Sequence, residues 1–249
     1  MSFNSWRFFV LSCVAVLAFH ASQAVGREVH VAKTGSDADA GSAESPYLTI
    51  GKAAAIAQPG DTVTVHAGTY REWVKPPRGG RDEGARIVYR AASGETVFIK
   101  GSERIRSWKH QAGDVWTAAL PNSFFGKNNP YALQVSGGWL NYGTWHHRGD
   151  VYLNGEAFNE KQTVVEVAQQ PHSWYCAVDD DTTIIQANFG RDDPNAEVTE
   201  INVRESLFMP EISGLQYITV AGFHFQHAAA NWAPPVIALQ TGAVGPRMG

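Results

Sequence analysis

The chain has 249 residues, 44% of them hydrophobic and 11% aromatic, with 24 acidic against 20 basic side chains for a formal charge of −4. That length holds one large domain or two modest ones around a sizeable core. The acidic balance excludes a general nucleic-acid binder, and the aromatic content excludes a disordered tail. Outside the extreme N-terminus no apolar run approaches the roughly 20 residues that a membrane span needs.

Residues 1–24 carry Arg7, an apolar stretch over 8–19, and then Ala21-Ser22-Gln23-Ala24. Charge, apolar run and small residues in that order predict a secretory signal cleaved after Ala24, and hence a secreted or periplasmic protein. Cys13 leaves with it, so the remaining cysteine, Cys176, has no internal disulfide partner. It lies in the strand-like run Trp174-Tyr175-Cys176-Ala177-Val178 and reads as a buried structural thiol.

From residue 25 to 105 the sequence alternates strand and corner. Val29-His30-Val31-Ala32 is a short strand, followed by a Gly-rich turn. Residues 46–57 are the one convincing helix, with Thr49 as N-cap, Pro59-Gly60 as stop, and Ile50, Ala53, Ala54 and Ala57 on one buried face. Strands return over 61–66, 86–90 and 96–100, too closely spaced for crossover helices. Short strands and Gly corners at this spacing suit a β-solenoid, in which each coil buries the last; a β-sandwich is the competing architecture. The helix favours the solenoid, because it can cover an exposed strand edge at the coil end. Over 106–202 the rhythm breaks: Trp108, Trp116, Trp139, Trp145 and Trp174 crowd the segment, and Leu153-Asn154-Gly155-Glu156 is a strong hairpin turn. An antiparallel β-sandwich insert is expected there. The coil rhythm resumes over 203–249, through Leu215 to Phe225 and one further short run, Val236-Ile237-Ala238-Leu239.

The opening His30-Val31-Ala32-Lys33-Thr34-Gly35-Ser36-Asp37, with Ser45-Pro46-Tyr47-Leu48-Thr49-Ile50, Pro59-Gly60-Asp61-Thr62-Val63 and Ala67-Gly68-Thr69-Tyr70-Arg71-Glu72, resembles the start of secreted right-handed parallel β-helix proteins. Trp73-Val74-Lys75-Pro76-Pro77-Arg78-Gly79-Gly80 and His227-Ala228-Ala229-Ala230-Asn231-Trp232-Ala233-Pro234-Pro235, together with the Trp-rich insert, narrow the resemblance to glycoside hydrolase family 120. The resemblance implies an all-β chain: a right-handed parallel β-helix with an N-terminal capping helix and an intercalated antiparallel β-sandwich. It also implies a β-xylosidase-type retaining mechanism, which uses one carboxylate nucleophile and one carboxylic acid about 5 Å apart. In the family these sit on later coils, so no catalytic residue is assigned here. The uncapped, Gly- and Pro-containing tail after residue 240 agrees with an N-terminal part of a longer enzyme.

Four residues are the candidate sugar contacts. Trp232 offers an aromatic face and Asn231 a polar group at a strand end; packing of the insert onto the coil is the equal competitor. His227 and His224 share the region, and strand alternation turns His224 away from Phe223 and Phe225. No metal site and no cofactor are expected. His146-His147 has no carboxylate or cysteine at zinc spacing, and Asp179-Asp180-Asp181 reads as a solvated hairpin tip rather than a cation site. Glu72 is expected to pair with Arg71 or Arg78, and Asp150 to cap a turn. The partner predicted is an oligo- or polysaccharide of xylan type, with neither nucleic acid nor a membrane span, and with a homo-oligomer open. A polysaccharide lyase or epimerase, and a non-catalytic carbohydrate-binding surface protein, are the alternatives that this scaffold also serves.

Overall fold

A computed structural model describes residues 26–135 and 145–230; the expected signal over residues 1–24, Trp139, the run 236–239, and both Asn231 and Trp232 lie outside the described residues. The described chain is mostly β. The first strand, Glu28–Val31 (β1), leads to the helix Ile50–Ile56 (α1). Thr49 Oγ1 accepts from Lys52 N at the helix start, and Ile50, Ala53 and Ala54 are buried against β1 and its neighbour. Thr62–Val65 (β2), Gly68–Tyr70 (β3), Ile87–Ala91 (β4) and Val97–Lys100 (β5) follow.

These strands stack in parallel. In one sheet β1, β2 and β4 lie side by side, and the register sets Val29, Val63 and Tyr89 in one inward row. In a second, Tyr70 of β3 lies beside Ile99 of β5. Both stacks place β-branched and aromatic side chains one above another in a dry interior, the condition under which parallel strands persist. Gly60, with φ of 97°, makes the corner before β2.

After β5 the chain leaves the coil. Ser102–Arg104 (β6), Lys109–Ala112 (β7), Val115–Pro121 (β8), Val151–Leu153 (β9), Glu156–Ala157 (β10) and Asn159–Glu160 (β11) precede the helix Val164–Gln169 (α2). Ser173–Val178 (β12), Thr182–Asn188 (β13) and Thr199–Asn202 (β14) complete the excursion. They form a five-stranded sheet, β11-β12-β13-β8-β7, and a four-stranded sheet, β10-β9-β14-β6, antiparallel except for the β11–β12 pair. A separate core holds Val151, Trp174, Ile185, Phe189 and Ile201. The expected Asn154-Gly155 turn is present, with both residues at positive φ (53° and 93°).

Helix α2 is a difference from the sequence reading, which expects a single helix. Thr163 and Glu166 close a reciprocal capping box at its start. The chain then rejoins the coil. Val74 forms a parallel bridge with Phe208 on a third face, Ile218–Ala221 (β15) adds to β4, and Phe223–Gln226 (β16) adds to β5. Among the described residues no helix is long and apolar enough to cross a membrane.

Candidate functional site

The two described sugar-contact candidates part company. His224 lies in register with Phe98, its ring 5.0 Å from that side chain and exposed, on the outward row of β16 as alternation predicts. His227 follows β16 with a left-handed backbone (φ 61°), which turns the chain out of the coil. Its ring stacks on Tyr152 of the antiparallel module at 3.7 Å and 12°. Asn231 and Trp232 lie outside the described residues, so the structure does not place them.

His227 belongs to a buried hub centred on Glu200, where coil and module meet. Glu200, on β14, is fully buried. Arg71, just after β3, reaches its Oε1 at 2.5 Å, and Lys100, at the end of β5, reaches its Oε2 at 2.8 Å. Ser102 Oγ on β6 donates to Glu200 Oε1 at 3.1 Å and accepts from Arg71 Nη1 at 3.0 Å. Burial alone would raise the Glu200 pKa; Lys100 and Arg71 outweigh it and hold the carboxylate below its ordinary range. His227 is pushed down to about 4, first by burial and then by the nearby Lys100 and Arg71 charges, so its imidazole is neutral at neutral pH.

Ser102, His227 and Glu200 have the composition of a nucleophile triad without its geometry. His227 Nδ1 faces Ser102 Oγ at 3.1 Å and Glu200 Oε2 at 3.5 Å, so one nitrogen meets both groups, whereas a relay needs one ring nitrogen for each. Ser102 is also fully buried. The hub is an ion-paired joint between two structural regions.

Glu72 departs from expectation. Its two carboxylate oxygens accept from Ile50 N at 3.0 Å and Gly51 N at 2.8 Å, at the first turn of α1. The unpaired N–H groups of a helix start need acceptors and favour a negative charge, so they can claim a carboxylate. Arg71 serves Glu200 instead, and Arg78 donates to the carbonyls of Ala55 and Ala57 at the other helix end. Asp150 does cap locally: its Oδ1 accepts from Val151 N at 2.9 Å. It is largely buried, and burial pushes its carboxyl up to about 7 against the opposing pull of hydrogen bonds from Val151, Tyr152 and Trp174. No hydrogen bond or ion pair joins Glu72 to Asp150 among the described residues. Asp179 makes the hairpin tip, its Oδ1 accepting from Asp181 N and Thr182 N.

His146-His147 has neighbours that spacing along the chain does not show. A carboxylate and a thiol do meet His147, from far along the chain. His147 Nδ1 is 2.5 Å from Glu160 Oε1 on β11 and 3.7 Å from Cys176 Sγ on β12. The other Glu160 oxygen accepts from His147 N at 2.9 Å and lies 3.3 Å from His146 Nδ1. Cys176 is buried as expected, and burial, reinforced by the Glu160 charge, pushes its thiol up to about 12. Beside this group is an open cleft of ≈ 540 Å³ whose lining includes Trp145, His146, Glu160, Lys161, Glu166 and Gln170. Trp145 stacks on His146 at 3.7 Å. Glu160, Lys161 and Glu200 were not singled out in the sequence. The partners of Glu160 and Glu200 lie on other segments of the chain, and no local motif marks them.

Residues 105–172 and 161–201 match the family described as glycoside hydrolase 120, insertion domain. The chain resembles glycoside hydrolase family 120. The match falls on the antiparallel module, where the sequence reading expects the insert. The solved structure described as the complex of XylC with xylose superposes with a TM-score of 0.79 at 49% sequence identity, over 84% of this chain and 36% of that one. This likeness supports a β-helical, family-120-like fold. Residues 33–75 match a family described as a protein of unknown function, DUF1565. The uncharacterized protein YwoF of Bacillus subtilis (strain 168) is 32% identical over 107 residues, 39% of this chain and 23% of the relative. The chain thus spans about a third of the xylose-bound chain's length and about a quarter of YwoF.

Proposed function

We propose that these residues form the N-terminal coils and intercalated sandwich of an exported retaining β-glycosidase of β-xylosidase type. In this reading α1 caps the coil end and the module is a β-sandwich set into a right-handed β-helix. The catalytic carboxylate pair lies outside residues 1–249. The single observation that carries the reading is the 49% identity and TM-score of 0.79 to a structure holding xylose. Three features of the described residues agree with it. Glu72 is committed to a helix start, Glu200 to two cations, and Asp150 to a local cap beside Tyr152 and Trp174. The substrate class is a xylan-type glycoside.

The test compares the full-length gene product with the 249-residue chain on a chromogenic β-xyloside. Turnover by the longer protein with none by the shorter is expected. Turnover by the 249-residue chain would overturn the placing of the carboxylates, and an inert full-length protein would overturn the activity. Release of an unsaturated sugar product by the full-length protein would point to a lyase instead.

A further inference from the structure

We propose that His147, Glu160 and Cys176 form a zinc site in the antiparallel module. This goes beyond the glycosidase reading and does not depend on it. Nδ1 of His147, a carboxylate oxygen of Glu160 and Sγ of Cys176 all lie within 4.8 Å of one another. They come from three separate elements: the segment before β9, strand β11 and strand β12. The convergence is therefore a product of the fold and not of chain proximity.

The arrangement is unusual for a plain hydrogen-bonded pair. A single nitrogen, His147 Nδ1, faces both the carboxylate and the thiol, although one ring nitrogen satisfies only one short hydrogen bond. Its 3.7 Å separation from sulfur is close to the roughly 3.6 Å that two ligands of a tetrahedral zinc subtend, given Zn–N of about 2.0–2.1 Å and Zn–S of about 2.3 Å. The carboxylate and the deprotonated thiol together neutralise a dication. Sulfur beside nitrogen selects zinc over calcium or magnesium, which prefer oxygen alone.

The surroundings suit an ion as well. The His147 backbone N–H and the His146 ring engage the second Glu160 oxygen, so the carboxylate is oriented by groups that would serve as its outer shell. His147 itself is pinned by an antiparallel bridge to Gln134. Glu160 opens onto the cleft under Trp145, which gives a path from solvent and room for a water as fourth ligand. On binding, zinc displaces the thiol proton to solvent; the Nδ1 proton that His147 gives to Glu160 is also released, and the imidazole keeps its neutral form with a proton at Nε2. The metal is not redox-active here, and no other bond changes.

The test uses the tag-free 249-residue chain, stripped with a chelator and dialysed against zinc chloride alone. One zinc per chain is expected, with Cys176→Ser and Glu160→Gln each weakening binding by at least about tenfold. Cobalt in place of zinc should produce the near-ultraviolet thiolate-to-cobalt absorption band, and Cys176→Ser should abolish it. Circular dichroism of the metal-free proteins checks that each variant folds; if Cys176→Ser does not, the cobalt spectrum of the parent chain decides alone. Failure to retain zinc, binding unchanged in the variants, or a cobalt complex without the thiolate band would each overturn the proposal and leave a hydrogen-bonded His–Glu pair over a buried thiol.

Discussion

The coil and the antiparallel module reach a dry interior by opposite routes. In the coil, residues in register stack rung upon rung: Val29 over Val63 and Tyr70 beside Ile99, with alanines of α1 closing the same core. In the module, dissimilar aromatics interlock edge to face. Tyr131 meets Trp174 at 5.6 Å and 78°, and Trp108 meets Phe189 at 4.9 Å and 74°. A ladder tolerates repetition because each rung sees the same neighbours. An aromatic jigsaw does not, since each ring needs one particular partner. Charge follows the same division. The described buried carboxylate shared by both regions, Glu200, sits at the joint and takes its cations from the coil side, at Arg71 and Lys100.

The strongest way to break this division is to empty the joint. Glu200→Ala leaves two partly buried cations, Arg71 and Lys100, without the fully buried carboxylate they share, and a loss of about 3–5 kcal/mol is expected in urea unfolding. A loss below about 1 kcal/mol would mean that the hub does not hold the regions together. Next, Ile99→Ala in the coil and Ile185→Ala in the module each remove a fully buried side chain, at about 3 kcal/mol apiece. If the regions unfold together, both substitutions shift one common transition. Two transitions, each moved by one substitution, would show that they unfold separately.

The smallest effect is a difference in pH response. Asp150 in the folded module keeps its proton up to about pH 7, against an ordinary value of 3.8. The folded state therefore binds an extra proton between those limits. This contribution is complete below about pH 4 and is lost as pH rises towards 7; the shift corresponds to at most about 4 kcal/mol, and to roughly half of that once solvent screening of this partly exposed group is allowed for. His227 runs the other way. Its pKa falls from 6.5 to about 4 on folding, so its contribution is lost as pH drops through that window. Urea midpoints between pH 4.5 and 7.5 should fall more steeply towards acid in Asp150→Asn and less steeply in His227→Gln. Parallel curves for Asp150→Asn and the parent would show that the proton is not held.

The two regions also differ in how much their residues disclose in advance. The coil strands were legible because period-two alternation and glycine corners are local signals, and so was the Asn154-Gly155 hairpin turn. Helix α2 was hidden by Val164 and Val165, β-branched residues that imitate a strand, although its Thr163–Glu166 capping box was present. The hub and the His147 group were not legible at all. Arg71 and Glu200 are brought together only by coil and module folding against each other, and Cys176 reaches His147 across 29 positions. Spacing rules for metal ligands assume neighbours along the chain, which is why His146-His147 looked bare.

The excursion over 102–202 begins and ends at nearly the same point. Ser102 on β6 pairs with Asn202 on β14, and the Gly101 carbonyl accepts from both Val203 N at 2.8 Å and Arg204 N at 2.9 Å. A Cβ at Gly101 would lie 2.5 Å from the His227 carbonyl oxygen and 3.0 Å from Ala228 Cα, so only glycine admits the three segments that meet there. Entry and exit share one doorway, and to the coil a hundred-residue detour is topologically no wider than a tight loop. Such a detour is replaceable. A lineage could trade one module for another through that doorway and rework what the protein contacts, while the stacked rungs beneath kept their register.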